Sequence, residues 1–447
     1  MKKYRKILVA SLLTFVSALA SGQEHPSTWD LRSCIDYAKE HNISILQSRN
    51  QQEQTAVSTK SAKAQLFPSL SFTASQTYAN QPYGGNGSTG DSYNDGTINT
   101  YSGSYRLGAS WEFYNGGKNT KNIKLAQLNE QMAVKTTEEL ENQTELAILQ
   151  AYMQILYATE SIRINQETLV LDSATLARGL EQKLAGMLTR ADIAQLESQL
   201  STDRYQLVKS QTTLESYKLQ LKQLLELSGQ ETLSIYTPEV LDAIVLRTLP
   251  NKQDVYNQAL GIMPEIQNSK LASQAAELQT AIAKAGYMPT LSLSASTATG
   301  HTSGSEATLG KQLKNGWNNN IGLSLSVPIF DNRTNKSAVE KAKLQLINSQ
   351  LSELDEQKTL YKTIETAWLD AYSAQNEFLA AKEKADYASV SYELASEQFK
   401  AGMKNTVELL TEKNTLLSAQ QQKLQTKYMA LLNQKILEFY QGTAINL

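Results

Sequence analysis

Between Tyr101 and Phe113 the odd positions read Tyr, Gly, Tyr, Leu, Ala, Trp and Phe, while the even ones read Ser, Ser, Arg, Gly, Ser and Glu. This alternation of period two predicts a β-strand with one apolar and one polar face. From Trp317 to Ile329 the bulk again falls on odd positions, Trp317, Ile321, Leu323, Leu325, Val327 and Ile329, with Asn, Gly and Ser mainly between them. Two weaker alternations, Leu70 to Tyr78 and Leu291 to Thr299, supply partners. Four strands are therefore expected, at 69–78, 101–113, 290–299 and 317–329. Leu70, Phe72, Tyr105, Leu107, Trp111, Phe113, Leu291, Leu293, Ile321, Leu323 and Leu325 form their outward apolar face. The Gly-rich stretch from Ala79 to Asn99 and the stretch from Gly300 to Gly316 are expected to be mobile external loops.

Elsewhere the period is helical. No Gly or Pro interrupts Arg333 to Ala401, which is rich in Ala, Leu, Lys, Glu and Gln, so an unbroken helix on the order of 100 Å long is expected. Lys118 to Arg178 is equally free of breakers. Rods of that length do not fit inside a compact domain and must pack along one another. Past each rod the apolar positions keep a heptad spacing: Ile193, Leu196, Leu200, Leu207, Leu214, Tyr217, Leu221 and Leu224 fall three, four or seven apart in one case, and Leu410, Leu417, Leu424 and Leu431 fall seven apart in the other. That is a coiled-coil seam. Gly186 and Gly402 sit between rod and seam, where a tight reversal needs a residue free to adopt positive φ.

The punctuation recurs. Ala-Gly-Met at 185–187 returns at 401–403, and Phe67-Pro68-Ser69-Leu70 is echoed by Met288-Pro289-Thr290-Leu291. The chain is therefore a tandem repeat offset by about 216 residues. Its expected organisation is a leader over 1–20, a first repeat over 21–227, a connection in the middle of the rods over 228–251, and a second repeat over 252–447. The connection contains Gly229, Pro238 and Pro250.

The N-terminus adds a compartment. Lys2, Lys3, Arg5 and Lys6 precede an apolar run from Ile7 to Val16 and a small-residue end at Ala18-Leu19-Ala20, the pattern of a secretory signal peptide. Losing those basic residues leaves the chain more acidic than its formal net charge of -2, and no basic footprint for nucleic acid remains. Cys34 is the single cysteine, so no disulfide within one chain is possible, and its helical setting reads as a small buried thiol. His25, His41 and His301 share no ligand spacing, so no metal, cofactor or catalytic site is expected, and the protein is not expected to be an enzyme.

Past the leader no apolar stretch is long enough for a membrane helix, so a membrane-spanning form must use strands, which points to an outer membrane. Four strands cannot close on themselves. An open edge in hydrocarbon leaves backbone groups unpaired at a cost of several kcal/mol each, so copies must complete the barrel. Two copies give about eight strands, whose side chains largely fill the interior, so a wet duct calls for at least three.

In its two tandem halves, two strand pairs and four long helices broken at glycine turns, the chain resembles the TolC family over nearly its whole mature length. The strand-to-helix segment from Trp111 to Gly117 lacks the proline usual in the family. Its second copy, Val327-Pro328-Ile329-Phe330-Asp331-Asn332, keeps the proline and replaces the glycine pair with Asn332-Arg333. The resemblance implies a mainly α fold of long helical hairpins joined into an α-barrel, with four β-strands per chain contributing to a shared 12-stranded membrane β-barrel in a homotrimer. It also implies an exit duct for efflux or type I secretion, embedded in outer-membrane lipid, that docks a periplasmic adaptor and an inner-membrane transporter. The turn tips at Gly186, Met187, Gly402 and Met403 are where an adaptor would bind. An acidic residue six positions after the turn glycine lies at the family's constriction, and here Asp192 and Glu408 take that place. Thr411 stands where relatives carry a second carboxylate, Lys404 where they carry an arginine and Phe399 where they carry a tyrosine.

Two other readings share the leader and the long helices: a periplasmic adaptor, and a soluble coiled-coil scaffold with a small sheet packed on its rods. Neither calls for two paired sets of strands with apolar outward faces.

Overall fold

The computed structural model describes residues 28–84, 96–228, 233–238 and 240–446. The expected leader, His25 and Gly229 lie outside them. In chain order the elements are α1 (Leu31–His41), α2 (Ile43–Ala64), β1 (Ser69–Gly84), β2 (Gly96–Asn115), α3 (Lys118–Leu184), α4 (Arg190–Leu224), α5 (Asp242–Val245), α6 (Lys252–Ile262), α7 (Pro264–Ala285), β3 (Thr290–Thr302), α8 (Leu309–Asn315), β4 (Asn318–Ser326), α9 (Thr334–Lys400) and α10 (Thr406–Tyr440). α3 and α9 are each 67 residues long, and α4 and α10 are each 35. The repeat thus recurs in element length as well as in motif.

Two compact units emerge, and each draws on both sequence halves. Among the described residues, one comprises those within 47–139 and 260–361, the other those within 28–46, 140–259 and 362–446.

The first unit holds the sheet. Its order is β1-β2-β3-β4, antiparallel throughout. Phe72 lies opposite Leu107, Trp111 opposite Leu293, Leu291 opposite Leu325 and Leu293 opposite Leu323. Directly opposed residues share a face, so the apolar positions of all four strands lie on one side. Among the described residues β1 and β4 each have a single neighbour.

The structure departs from the expected loops in two ways. Residues 79–84 and 96–99 continue the ladder, with Asn80 opposite Asn99 and Gln81 opposite Ile98. The stretch after β3 is not simply a loop but contains α8, whose Leu313 carbonyl accepts from the Thr299 hydroxyl while Gln312 Oε1 accepts from the Thr302 amide at 2.8 Å. Leu309 and Leu313, four apart, are the helical signal in that segment.

Both strand-to-helix junctions use two successive left-handed residues. In the first repeat these are Gly116 (φ 66°) and Gly117 (φ 74°); in the second, Asn332 (φ 51°) and Arg333 (φ 68°). The cap recurs too: Asn115 Oδ1 accepts from the Asn119 amide at 3.1 Å, and Asp331 Oδ2 from the Asn335 amide at 2.8 Å. The same turn is thus built from glycine once and from larger residues once. Beside it, Gly286 lets Asn335 approach; a Cβ there would lie 2.2 Å from Asn335 Oδ1.

The second unit packs helices around Tyr152, Ile155, Leu156, Leu221 and Leu225, all nearly inaccessible. Residues 233–238, past α4, are pinned to this core. Ile235 bridges to Trp29 as a short parallel pair, and the Tyr152 hydroxyl donates to the Tyr236 carbonyl. Farther on, Val245 packs on Ala374, Phe378 and Ala430, and Trp368 Nε1 donates to the Pro250 carbonyl at 2.9 Å. Cys34 is fully buried in α1, and burial pushes its thiol up to about 12; this is a packing cysteine.

Candidate functional site

Two faces of the sheet carry opposite chemistry. On one, Leu70, Phe72, Ile321, Leu323 and Leu325 are large, apolar and exposed, from 65% for Leu325 to 83% for Ile321. On the other, small hydroxyls bond across strands: Ser69 Oγ lies 2.8 Å from Ser110 Oγ, and Arg106 donates to Ser296 Oγ at 3.3 Å. The wide apolar face has no cover among the described residues, and that is the mark of a surface made for lipid or for a partner.

The alternation from Tyr101 holds as far as Glu112 and then breaks. A bulge between Glu112 and Tyr114 places Tyr114, not Phe113, opposite Leu291. Phe113 stays exposed, its ring 5.4 Å from that of Trp111. Trp111 Nε1 donates to the Leu66 carbonyl at 2.8 Å, tying the strand to the end of α2. Bulges often end pairing at barrel rims, which fits a junction between strand and rod.

The turn tips are built alike. Gly186 and Gly402 take φ of 71° and 72°. At the first, the Met187 amide donates to the Gln182 carbonyl at 2.9 Å and the Gly186 amide to Lys183 at 3.0 Å. At the second, Met403 donates to Gln398 at 2.8 Å and Gly402 to Phe399 at 3.0 Å. This six-to-one closure is the Schellman motif, which needs a left-handed residue. Met187 and Met403 are 60% and 75% exposed, so each tip presents an uncovered thioether.

The carboxylates expected at the constriction have a local role. Thr189 and Asp192 form a capping box at the start of α4: the Thr189 amide donates to Asp192 Oδ2 at 2.8 Å and the Asp192 amide to Thr189 Oγ1 at 3.2 Å. Asn405 and Glu408 repeat it on α10, with the Asn405 amide 2.9 Å from Glu408 Oε2 and the Glu408 amide 2.9 Å from Asn405 Oδ1. The acidic residue falls six positions after each glycine because it is the third helical residue after a short turn, where it satisfies an orphan amide. The Thr189 hydroxyl beside Asp192 holds that carboxyl below its usual range. Glu408 is exposed and Lys404 half-buried, while Phe399 is buried at the end of α9 and the Thr411 hydroxyl donates to the Val407 carbonyl at 2.8 Å.

One cluster escaped the sequence reading. Lys413 of α10, with 4% of its side chain exposed, donates to Asp172 Oδ2 of α3 and, at 2.7 Å, to Asp203 Oδ2 of α4. Its trace in the sequence is a gap. The apolar series on α4 skips from Leu200 to Leu207, and the series on α10 from Leu410 to Leu417. Asp203 and Lys413 occupy the skipped core positions.

A sheet with one exposed apolar face, one hydroxyl-rich face and, among the described residues, two unpaired edges, on a chain of long helices, has the features of an outer-membrane channel subunit. The chain belongs to the outer membrane efflux protein family, whose model matches residues 34–226 and 255–443. It is 23% identical over 456 residues to the outer membrane protein TolC of Escherichia coli (strain K12), covering 99% of this chain and 87% of the relative. Solved folds agree. A structure of CusC superposes with a TM-score of 0.78 at 18% identity, covering 95% of this chain and 96% of that one, and VceC from Vibrio cholerae with 0.73 at 16% identity, covering 93% and 97%. The family is one of efflux channels and not of enzymes.

Proposed function

We propose that three copies of this chain form the exit duct of a tripartite efflux or type I secretion system. The observation that carries this reading is the sheet with β1 and β4 each unpaired on one side. Pairing β1 of one copy with β4 of the next satisfies both edges, and three repetitions make twelve strands around a wet lumen. The apolar face then meets outer-membrane lipid, and the Ser-rich face lines the water path. The long helices continue the lumen through the periplasm.

The two glycine turns form the periplasmic tip. The exposed Met187 and Met403 beside Gly186 and Gly402 offer soft apolar contacts to a periplasmic adaptor, which in turn couples the duct to an inner-membrane transporter. Glu408, with Asp192 as its counterpart, contributes a ring of carboxylates that narrows the pore and favours cations. Thr411, Lys404 and Phe399 frame that constriction. The cargo is set by the adaptor and the transporter.

Purified protein in planar lipid bilayers tests the reading. The expected result is discrete, cation-preferring channel steps from a detergent-extracted trimer. A protein that leaves the bilayer non-conducting would refute it.

A further inference from the structure

The seam that joins α10 to α3 and α4 is polar where a helix bundle is ordinarily apolar. Lys413 bridges Asp172 and Asp203, and Asp203 Oδ1 also accepts from Gln199 Nε2 at 3.0 Å. Along the same seam Asn165 Nδ2 donates to Ser210 Oγ at 2.7 Å, Gln421 Nε2 to Asn165 Oδ1 at 3.3 Å, and Ser161 Oγ to Gln421 Oε1 at 3.0 Å. Most of these bonds join two different helices. Hydrophobic seams slide at small cost, whereas buried polar groups fix one register because every other leaves them unpaired.

The charges of the trio do not balance. One ammonium and two carboxylates sum to one net negative charge, held where all three side chains are at most 8% exposed. A buried net charge is costly, and a proton on one carboxyl removes it. Asp172 is the group that takes it: burial first, and then the hydrogen bond with Asp203, push its carboxyl up to about 7. Burial also works to raise Asp203, but its hydrogen bonds with Asp172 and Lys413 outweigh that and hold it low. Three further groups surround the trio. The Tyr392 phenol of α9 is raised by burial and then by Asp172, Arg178 of α3 acts on that phenol in the opposite sense, and Lys209 of α4 lies farther along the seam. A cavity of about 540 Å³, lined by Asp203, Gln199, Asn165, Gln206 and Ser210 among others, gives the trio a polar route for proton exchange.

We propose that Lys413, Asp172 and Asp203 form a register lock that holds α10 against α3 and α4 only while one proton is bound, so that moving α10 to open the tip breaks the trio and releases that proton. Lys413 is thus a positioning residue for the gate. The inference rests on the duct reading above. Opening transfers Asp172 to water, where its proton is weakly held, so rising pH favours the open tip. Each unit of pH between the ordinary and the raised value shifts the equilibrium by up to about tenfold per chain.

The test uses the full-length trimer in two ways. In planar bilayers, open probability is followed from about pH 5 to about pH 8. Wild type is expected to open more as pH rises. Asp172→Asn, which keeps the neutral hydrogen-bonding shape, is expected to stay closed with a flat profile, and Lys413→Met to stay open across the range. In detergent, infrared spectroscopy is expected to find a protonated carboxyl that titrates near pH 7 and is missing in Asp172→Asn. A wild-type channel that conducts with a flat pH profile overturns the lock, as does an Asp172→Asn channel that keeps the wild-type profile. A protein that never conducts refutes the duct reading instead; the infrared arm then judges the trio alone, and absence of the titrating band overturns the proton loading. Should Lys413→Met fail to assemble, the near-isosteric Asp172→Asn decides.

Discussion

Gly186 and Gly402 stand at equivalent places in the two repeats and share one backbone conformation, φ 71° and 72°, each closed by the same pair of amide-to-carbonyl bonds. A Cβ added at either meets nothing within 4 Å, whereas at Gly116, also left-handed, it would lie 2.4 Å from Met288 Cβ. Gly186→Ala and Gly402→Ala should therefore each cost only the backbone term, about 1 to 2 kcal/mol, and leave the assembly intact. Gly116→Ala should lose the assembly altogether. Conversely, Arg333→Gly relieves a positive-φ side chain and should raise stability by about 1 kcal/mol, because its exposed pair with Glu340 contributes little. Thermal unfolding in detergent, followed by circular dichroism, checks all four.

The capping boxes separate structural from electrostatic roles. Asp192→Ala and Glu408→Ala should each destabilise by about 1 kcal/mol through the lost cap. Only the double variant should also abolish cation preference, read as a shift of reversal potential in a salt gradient. Unchanged selectivity would leave both residues as caps alone. The lowered carboxyl of Asp192 contributes stability above its ordinary range, and this is lost as pH falls through its depressed value.

The buried trio has the opposite sign. Because Asp172 is raised from 3.8 to about 7, its contribution is complete below its ordinary value and is lost as pH climbs toward the raised one. Melting temperature should therefore decline from mildly acid to mildly alkaline solution, and Asp172→Asn should flatten the decline. Lys413→Met alone strands two carboxyls and should cost about 3 to 5 kcal/mol, while Lys413→Met with Asp172→Leu and Asp203→Leu should recover most of it.

Lipid and lumen faces should respond unequally to charge. Leu323→Lys on the apolar face should cost about 2 to 4 kcal/mol near mid-membrane and reduce the trimer recovered from outer membranes. Ser294→Lys, on the hydroxyl face opposite Gly322, should assemble normally and shift ion selectivity. Equal losses for both would argue that neither face meets lipid.

The long helices and glycine turns were legible because both signals are local: an absence of breakers over dozens of residues, and a glycine between helical patterns. The strands were legible through period two, but their true length was hidden, since Asn80, Gln81 and Asn99 are poor strand formers whose pairing follows from the adjoining ladder. The bulge at Phe113 leaves no mark in the alternation, and α8 is signalled only by Leu309 and Leu313 four apart. Asp192 and Glu408 were visible by position, yet their capping role required seeing Thr189 and Asn405 fold back on them. Nothing in the sequence sets Lys413 apart from the other charges of α10; only the arrangement of three helices reveals that it fills a core position between two carboxylates.

The central claim is that β1 of one copy pairs with β4 of another. Cysteines scanned along residues 69–79 of β1 against a fixed Asn320→Cys in β4 test it in outer membranes, with the native Cys34 fully buried and out of reach. The account predicts that matched pairs oxidise to a covalent trimer and no larger species. Crosslinks formed only within one chain, or a chain recovered as a monomer without detergent, would contradict it.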